Sequence, residues 1–210
     1  MKNTWKQYGY LVLVAYLLLG FFIWPALGSI ALICMLAPVL LAPFRGREWC
    51  GHYCPRGSLW DTVLAKVITR REVPGWAKAA WFRAFMLVFI FSVFGTQAYY
   101  AWPDAAQIGL VFLRIIFVTT LVGIALAFIY SPRTWCNFCP MGTLASLAAT
   151  TKKGIAVADS CVSCQVCVKV CPMGLKPLEK KGGIFTHPDC LKCGACEKSC
   201  PKKALTIHDF

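Results

Sequence analysis

Apolar residues fill two long stretches of the first 130 positions, then give way to a polar tail punctuated by cysteines. The first stretch runs from Tyr8 to Phe44 and is interrupted at Pro25-Ala26-Leu27-Gly28. The second runs from Trp76 to Tyr130 and is interrupted at Trp102-Pro103-Asp104. A membrane-crossing helix needs about 20 apolar residues, with about 17 as the lower bound. The second stretch therefore predicts two helices, roughly Ala77–Tyr100 and Ala105–Tyr130. The first holds either two passes of minimal length or one long tilted helix.

Charge placement decides between those options. Lys2 and Lys6 precede the first stretch; Arg45, Arg47, Arg56, Lys66, Arg70, Arg71 and Lys78 follow it; Arg133, Lys152 and Lys153 follow the second. The turns at Pro25 and Pro103 contain no Lys or Arg. The positive-inside tendency then predicts four helices, with both termini and the loop 45–78 in the cytoplasm. This is the pattern of a multi-pass protein of the inner (cytoplasmic) membrane. Ala26-Leu27-Gly28 resembles a signal-peptide cleavage site, but the apolar run resumes at once, so an uncleaved first helix is expected.

Composition narrows the class. Of 210 residues, 58% are hydrophobic and 15% charged, and the mean hydropathy is +0.60, above the usual soluble range of about 45–50% apolar. Disordered chains are poor in apolar residues, and secreted disulfide scaffolds are short chains without long apolar runs. Thirteen cysteines in such a chain point instead to a membrane protein with cysteine-bound metal. The net charge of +13 comes from residues beside apolar segments and among cysteines, so nucleic acid is not an expected partner.

In the tail, Cys161-x2-Cys164-x2-Cys167-x3-Cys171-Pro172 recurs as Cys190-x2-Cys193-x2-Cys196-x3-Cys200-Pro201. Three cysteines two residues apart can wrap one side of a cubane, while the fourth, before proline, leaves for the other cluster. One [4Fe-4S] cluster is thus assigned to Cys161, Cys164, Cys167 and Cys200, and the other to Cys190, Cys193, Cys196 and Cys171. A pair of tetrahedral zinc sites is the competing reading. The run resembles the bacterial two-[4Fe-4S] ferredoxin family over about 50 residues, a resemblance that implies one-electron transfer. A module this small needs a staple beyond its own core. The expected division is a four-helix membrane domain at 1–153 and a cytoplasmic α+β ferredoxin domain at 154–210.

The membrane half carries four more cysteines in an internal repeat. Trp49-Cys50-Gly51-His52-Tyr53-Cys54-Pro55-Arg56-Gly57-Ser58-Leu59 follows the first helix pair, and Trp135-Cys136-Asn137-Phe138-Cys139-Pro140-Met141-Gly142-Thr143-Leu144 follows the second. Two pseudo-repeated helix pairs would bring four thiolates around a pseudo-twofold axis, the ligand count of an iron–sulfur cluster. A third cluster on Cys50, Cys54, Cys136 and Cys139, at the membrane surface, is the sharpest reading. Its competitors are two separate copper or zinc sites, a reactive dithiol in each motif, and a purely structural role. Ser58-Leu59-Trp60-Asp61 has the form of a capping box opening an amphipathic stretch with Val63, Leu64, Val67 and Ile68 on one side, and Thr143 starts a similar segment. Helix starts there would direct positive dipole ends toward an anionic cluster, or the segments would simply lie on the lipid surface.

The whole arrangement resembles the NapH-like membrane ferredoxin-type subunits, a family that includes MauN and is related to the C-terminal part of the NosR proteins. The resemblance rests on four spanning helices, two Cys-Pro motifs and a C-terminal two-cluster ferredoxin, and covers essentially the whole chain. It implies electron transfer between the membrane quinone/quinol pool and a redox partner protein in a larger complex. The second motif departs from it, being Cys-x2-Cys-Pro where the first is Cys-x3-Cys-Pro. The alternative function is metal handling or cofactor maturation through the paired motifs.

Other residues change the picture less. None of His52, His187 and His208 falls in a spanning segment, which excludes bis-histidine haem inside the bundle. His52 is expected at the interface, and His187 and His208 in solvent. Arg114 lies well inside a predicted helix, a costly placement that raises a functional question; quinone binding, pairing with Asp104, a partner contact and snorkelling are its readings. Arg83 is expected to snorkel, Cys34 to be a small buried apolar residue, and Trp49 and Trp135 to be interfacial anchors. No nucleotide loop or nucleophile–base pair is apparent, so an electron-transfer subunit is expected, with no self-contained dehydrogenase site.

Overall fold

The computed structural model describes residues 2–69, 71–149 and 154–207, with side chains from Thr4 onward. Arg70, Lys152, Lys153 and His208, all weighed above, lie outside the described residues, as does the side chain of Lys2.

Helix α1 (Lys2–Phe22) rises to a turn, and a 3-10 segment (Pro25–Ile30) runs directly into α2 (Ala31–Arg45). The proline that interrupts the apolar run opens the 3-10 turn, where its missing N–H costs nothing. Short helices α3 (Glu48–His52) and α4 (Pro55–Ser58) carry the first Cys-Pro motif, followed by a π-helical turn (Leu59–Leu64) and α5 (Ala65–Val67). After α6 (Gly75–Lys78) come α7 (Ala80–Ala101) and α8 (Ala105–Ile129), and then α9 (Thr134–Phe138) and α10 (Pro140–Ala148), which carry the second motif. Among the described residues, four segments are long and apolar enough to cross a membrane: Thr4–Phe22, Pro25–Arg45, Ala80–Ala101 and Ala105–Ile129. The first stretch thus holds two such segments.

The third span begins later than its hydropathy predicts. Ala79 is extended, with ψ of 136°, so residues 75–78 form a separate turn whose Ala77 is buried under Trp135 and Phe138.

Helix α8 is the buried centre of the bundle. Asp104 caps it by accepting from the Ala106 N–H at 2.8 Å, so Asp104 serves the helix start. Gly109 faces Gly28 backbone to backbone, and a Cβ on either glycine would run into the other segment. At the other end, Gly123 accommodates the Trp60 ring; a Cβ there would sit 2.8 Å from it. Arg114 is exposed on the outer side of α8.

Both Cys-Pro motifs gather at the end of the bundle that carries the chain's start. Trp5 Nε1 donates to the Tyr53 carbonyl at 2.8 Å, and Lys6 pairs with Asp61 at 3.0 Å. The tail domain sits on the same end. Its strands β1 (Ile155–Val157), β2 (Gly183–Phe185) and β3 (Leu205–Ile207) form an antiparallel sheet in the order β2-β1-β3. Two short helices, α11 (Val166–Lys169) and α12 (Ala195–Lys198), hold the third cysteine of each run. Ile155, Val157, Phe185 and Leu205 make its core together with Cys167 and Cys196, so the ligands are part of the hydrophobic centre.

The capping-box expectation is overturned. Ser58 is helical (φ −60°, ψ −47°), and its hydroxyl donates to the Lys6 carbonyl while accepting from the Tyr10 N–H. The helix starts at Pro55 instead, and its counterpart at Pro140, ahead of Thr143. The stretch after Ser58 is not amphipathic on the predicted side either. Trp60 and Leu64 are buried against Ala127, whereas Val67 is exposed, because the π turn shifts the register by which residues face inward.

Candidate iron–sulfur sites

In the tail, the two cysteine runs repeat in backbone geometry as well as in spacing. Left-handed residues recur at the same offsets: Ser163 and Lys192, Gln165 and Gly194, Gly174 and Lys203. Such turns aim successive N–H groups into one concavity, a geometry suited to an anion. The fourth cysteines match too: the Leu175 N–H donates to Cys171 Sγ at 3.3 Å, and the Ala204 N–H to Cys200 Sγ at 3.4 Å.

Cys171 lines one hollow together with Cys190, Cys193 and Cys196, and the electrostatics follows that placement. Burial pushes the Cys190 and Cys196 thiols up to about 11 and about 12, and in both cases Cys193 and Cys171 add to the rise. Cys171 therefore stands with the second run, across from its own. Cys167 is raised by burial and by Cys161 and Cys164, and Cys161 and Cys200 border the same core. Among the described residues, no three His, Cys, Asp or Glu side chains are grouped as ligands of a single ion. Two thiol sets with inward amides fit two multi-iron clusters, which supply one-electron carriers when bound.

The second concentration of thiols lies in a cavity of about 210 Å³ between the two halves of the membrane domain. Cys50, Cys54, Cys136 and Cys139 all line it. Cys54 and Cys139 precede Pro55 and Pro140 with matching backbone angles (φ −66°, ψ 117° and φ −56°, ψ 128°). The extra residue of the first motif is Tyr53, which ends α3; in the second motif α9 passes directly to α10 at Cys139. The length difference is thus absorbed without moving the Cys-Pro corner. Burial drives the Cys50 thiol up to about 12, Arg47 pulls it down, and Cys54, Cys139 and Cys136 each raise it. Cys50 thus feels the other three thiols.

Two buried arginines tie the motifs together, and both escape a search for metal ligands. Arg47 Nη2 donates to the Cys136 carbonyl at 2.8 Å, and Arg133 Nη1 to the Cys50 carbonyl at 2.9 Å. Each stands three residues before the first cysteine of its own motif and reaches the other. Each also lies against the glycine after the other motif's Cys-Pro: Arg47 on Gly142, Arg133 on Gly57. The recurrence of Arg-x-Trp-Cys was the available signal. Their charges are met separately, Arg133 by Asp61 (2.8 and 2.9 Å) and Arg47 by Asp189 of the tail (2.8 Å).

The cavity lining carries donors without acceptors. Arg47 Nε, Arg56 Nε and Nη2, Trp49 Nε1 and Trp135 Nε1 are buried and have no hydrogen-bond partner, and all four residues line the cavity. Buried orphan donors are costly, so this lining calls for an acceptor-rich, anionic occupant. A thiolate-ligated iron–sulfur cluster has that chemistry, and the residues present fit it. The interfacial-anchor expectation fails for Trp135, which is buried in the core with the Arg56 guanidinium 5.4 Å from its ring centroid. Cys34 is not buried either; it is exposed on α2 and borders the cavity. His52 is not part of the lining; its Nδ1 lies 3.4 Å from the Glu48 carbonyl.

The tail domain is clamped onto this site. Arg83 does not snorkel: its Nη1 and Nη2 donate to Asp189 at 3.1 and 2.8 Å. Burial raises the Asp189 carboxyl, but the hydrogen bonds from Arg83 and the charge of Arg47 outweigh it and hold the acid below its ordinary value. The Leu191 carbonyl rests on Gly51, leaving no room for a Cβ. His187, exposed as expected, accepts the Asp189 N–H through Nδ1 at 3.1 Å.

The 4Fe-4S dicluster domain family matches residues 160–205, and the 4Fe-4S binding domain family matches twice, over 27–71 and 107–155. The chain therefore carries an iron–sulfur ferredoxin domain of the dicluster type, joined to helices long and apolar enough to span a membrane. It is similar to two uncharacterized proteins of Methanocaldococcus jannaschii. MJ0749 is 26% identical over 155 residues (71% of this chain, 61% of the relative). MJ0750 is 28% identical over 157 residues (68% of this chain, 65% of the relative). The chain thus spans less than two thirds of the length of these relatives. No solved structure matches it.

Proposed function

We propose that this is a membrane-bound iron–sulfur electron-transfer protein. It relays single electrons between a membrane donor or acceptor, the quinone/quinol pool or a membrane partner, and a redox partner protein. Three clusters form the relay: two in the tail and a third held by Cys50, Cys54, Cys136 and Cys139, in the manner of the NapH-like subunits. The carrying observation is the convergence of four thiols and five orphan N–H donors on one cavity directly beneath the tail domain. The domain model match across both Cys-Pro motifs supports it. The lysine- and arginine-rich end carrying the motifs is read as cytoplasmic from the positive-inside tendency.

In this reading the protein's own residues do three things. The thiols bind iron, Arg47 and Arg133 lock the two motifs in register, and the apolar walls from α1, α2 and α8 exclude water. Iron and acid-labile sulfide on anaerobically purified protein test it. About twelve of each per chain are expected for three cubanes, falling to about eight in Cys50→Ser/Cys136→Ser. About eight in the wild type overturns the third cluster and leaves the paired motifs to metal handling.

A further inference from the structure

The two cysteine runs of the tail are equivalent in spacing and backbone, yet their surroundings differ. In the first, Val162, Ser163, Cys164 and Gln165 are all exposed, with Val162 58% accessible. In the second, Leu191 is 2% accessible, its carbonyl sits on Gly51, and the preceding Asp189 is held by Arg47 and Arg83. The second run therefore faces the membrane site and the first faces solvent.

Charge adds the chemistry of what meets that solvent face. Between residues 154 and 207, lysines outnumber acids two to one, the acids being Asp159, Glu179, Asp189 and Glu197. Of these, Asp189 is consumed in docking, Glu197 Oε1 accepts the Ile207 N–H at 3.4 Å, Glu179 lies 4.0 Å from Lys176, and Asp159 is exposed, so the basic excess rests on the lysines. Lys169, Lys176, Lys180 and Lys181, on and around α11 and the 3-10 turn (Pro177–Lys180) packed beside it, are exposed. An apolar tip in a basic setting is the anatomy of an interface that steers an oppositely charged partner.

We propose that the loop Val162–Gln165 is the port through which the chain exchanges electrons with a soluble redox protein whose docking face is acidic. The Cys161–Cys164–Cys167–Cys200 cluster then lies nearer the partner and the Cys190–Cys193–Cys196–Cys171 cluster nearer the membrane site, in either direction of electron flow. The proposal rests on the dicluster reading of the tail and is independent of the third cluster.

The test uses the full chain in detergent, reduced with dithionite and freed of excess reductant. It is oxidised in a stopped-flow by ferricyanide, an anion, or by hexaammineruthenium(III), a cation. In each event one electron leaves a reduced cluster and reduces one acceptor ion. The ferricyanide rate should fall as ionic strength rises. Val162→Glu should cut it several-fold while leaving or raising the ruthenium rate, and Lys169→Glu should act in the same direction. Lys169→Glu carries the test if Val162→Glu loses iron. Unchanged rates with either acceptor in an iron-replete variant, or equal losses with both, overturn the port. A ferricyanide rate that rises with salt overturns the acidic partner. In nanodiscs of anionic lipid, whose charge alone slows ferricyanide, the ruthenium rate should persist; its collapse there would mean that the lysine-rich face lies on lipid, and the proposal fails. Iron below about eight per chain in the wild type signals instead that the dicluster reading itself is wrong.

Discussion

At the scale of single residues, the junction is organised by charges that belong to neither ligand set. Arg133 is 2% exposed at its side chain and Asp61 13%, so their pair is nearly dry. Asp61→Asn strands a buried guanidinium and should destabilise the membrane domain by about 3–5 kcal/mol, read as a lowered unfolding midpoint. Burial raises the Asp61 carboxyl, but Arg133 and then Lys6 bring it down to about 2. A depressed acid contributes stability that is fully present above its unfolded value and is lost as pH falls through the folded one. The wild-type advantage over Asp61→Asn should therefore hold from neutral pH to about pH 4 and fade toward about pH 2. A difference that vanished already at pH 6 would remove Asp61 from this role. In the sequence Lys6 and Arg133 stood out only as topology signals, and Asp61 only as the end of a capping-box pattern. That a basic residue is buried and paired depends on what lies opposite, and Asp61 is 72 positions from Arg133.

At the scale of elements, the hydropathy pattern located four helices because burial in lipid requires length and apolarity, both of which are local. Finer boundaries failed where tertiary contacts compete. Ala79 breaks the third span because α6 is drawn beneath Trp135, and Ser58 surrendered its capping role to bridge back to α1. The crossing of the Pro25–Ile30 segment over α8 depends on Gly28 and Gly109 meeting without side chains. Gly109→Ala should cost about 1–3 kcal/mol through overpacking, whereas Gly95→Ala, with nothing within 4 Å of its Cβ, should be neutral or slightly stabilising because alanine is the better helix former. Thermal unfolding of the two variants in the same detergent separates them, and equal midpoints would remove the crossing from the account.

At the scale of the whole molecule, one loop decides how the tail meets the membrane part. Gly51 lets the Leu191 carbonyl approach, and Asp189 fastens it to Arg47 and Arg83. Gly51→Val should lift the tail domain without touching a cysteine. The amides around Leu191 and Lys192 should then lose hydrogen-exchange protection while the iron bound by the tail stays unchanged. Protection that survives the substitution would show that the clamp alone holds the domain.

The sequence by itself determined the dicluster ferredoxin tail and the helices long and apolar enough to cross a membrane. Cluster ligation is written as short-range spacing, Cys-x2-Cys-x2-Cys-x3-Cys-Pro, and membrane crossing as a run of apolar residues, so each is readable within about 20 positions. The repeat of the Cys-Pro motif was equally legible. Only the tertiary structure decided that the four membrane-end thiols share one cavity, that Arg47 and Arg133 reach across to the opposite motif, and that Arg83 holds Asp189. It alone decided which of two look-alike cysteine runs is covered and which is open. Those facts rest on contacts between residues many tens of positions apart, and identical local spacing carries no information about which copy will be buried.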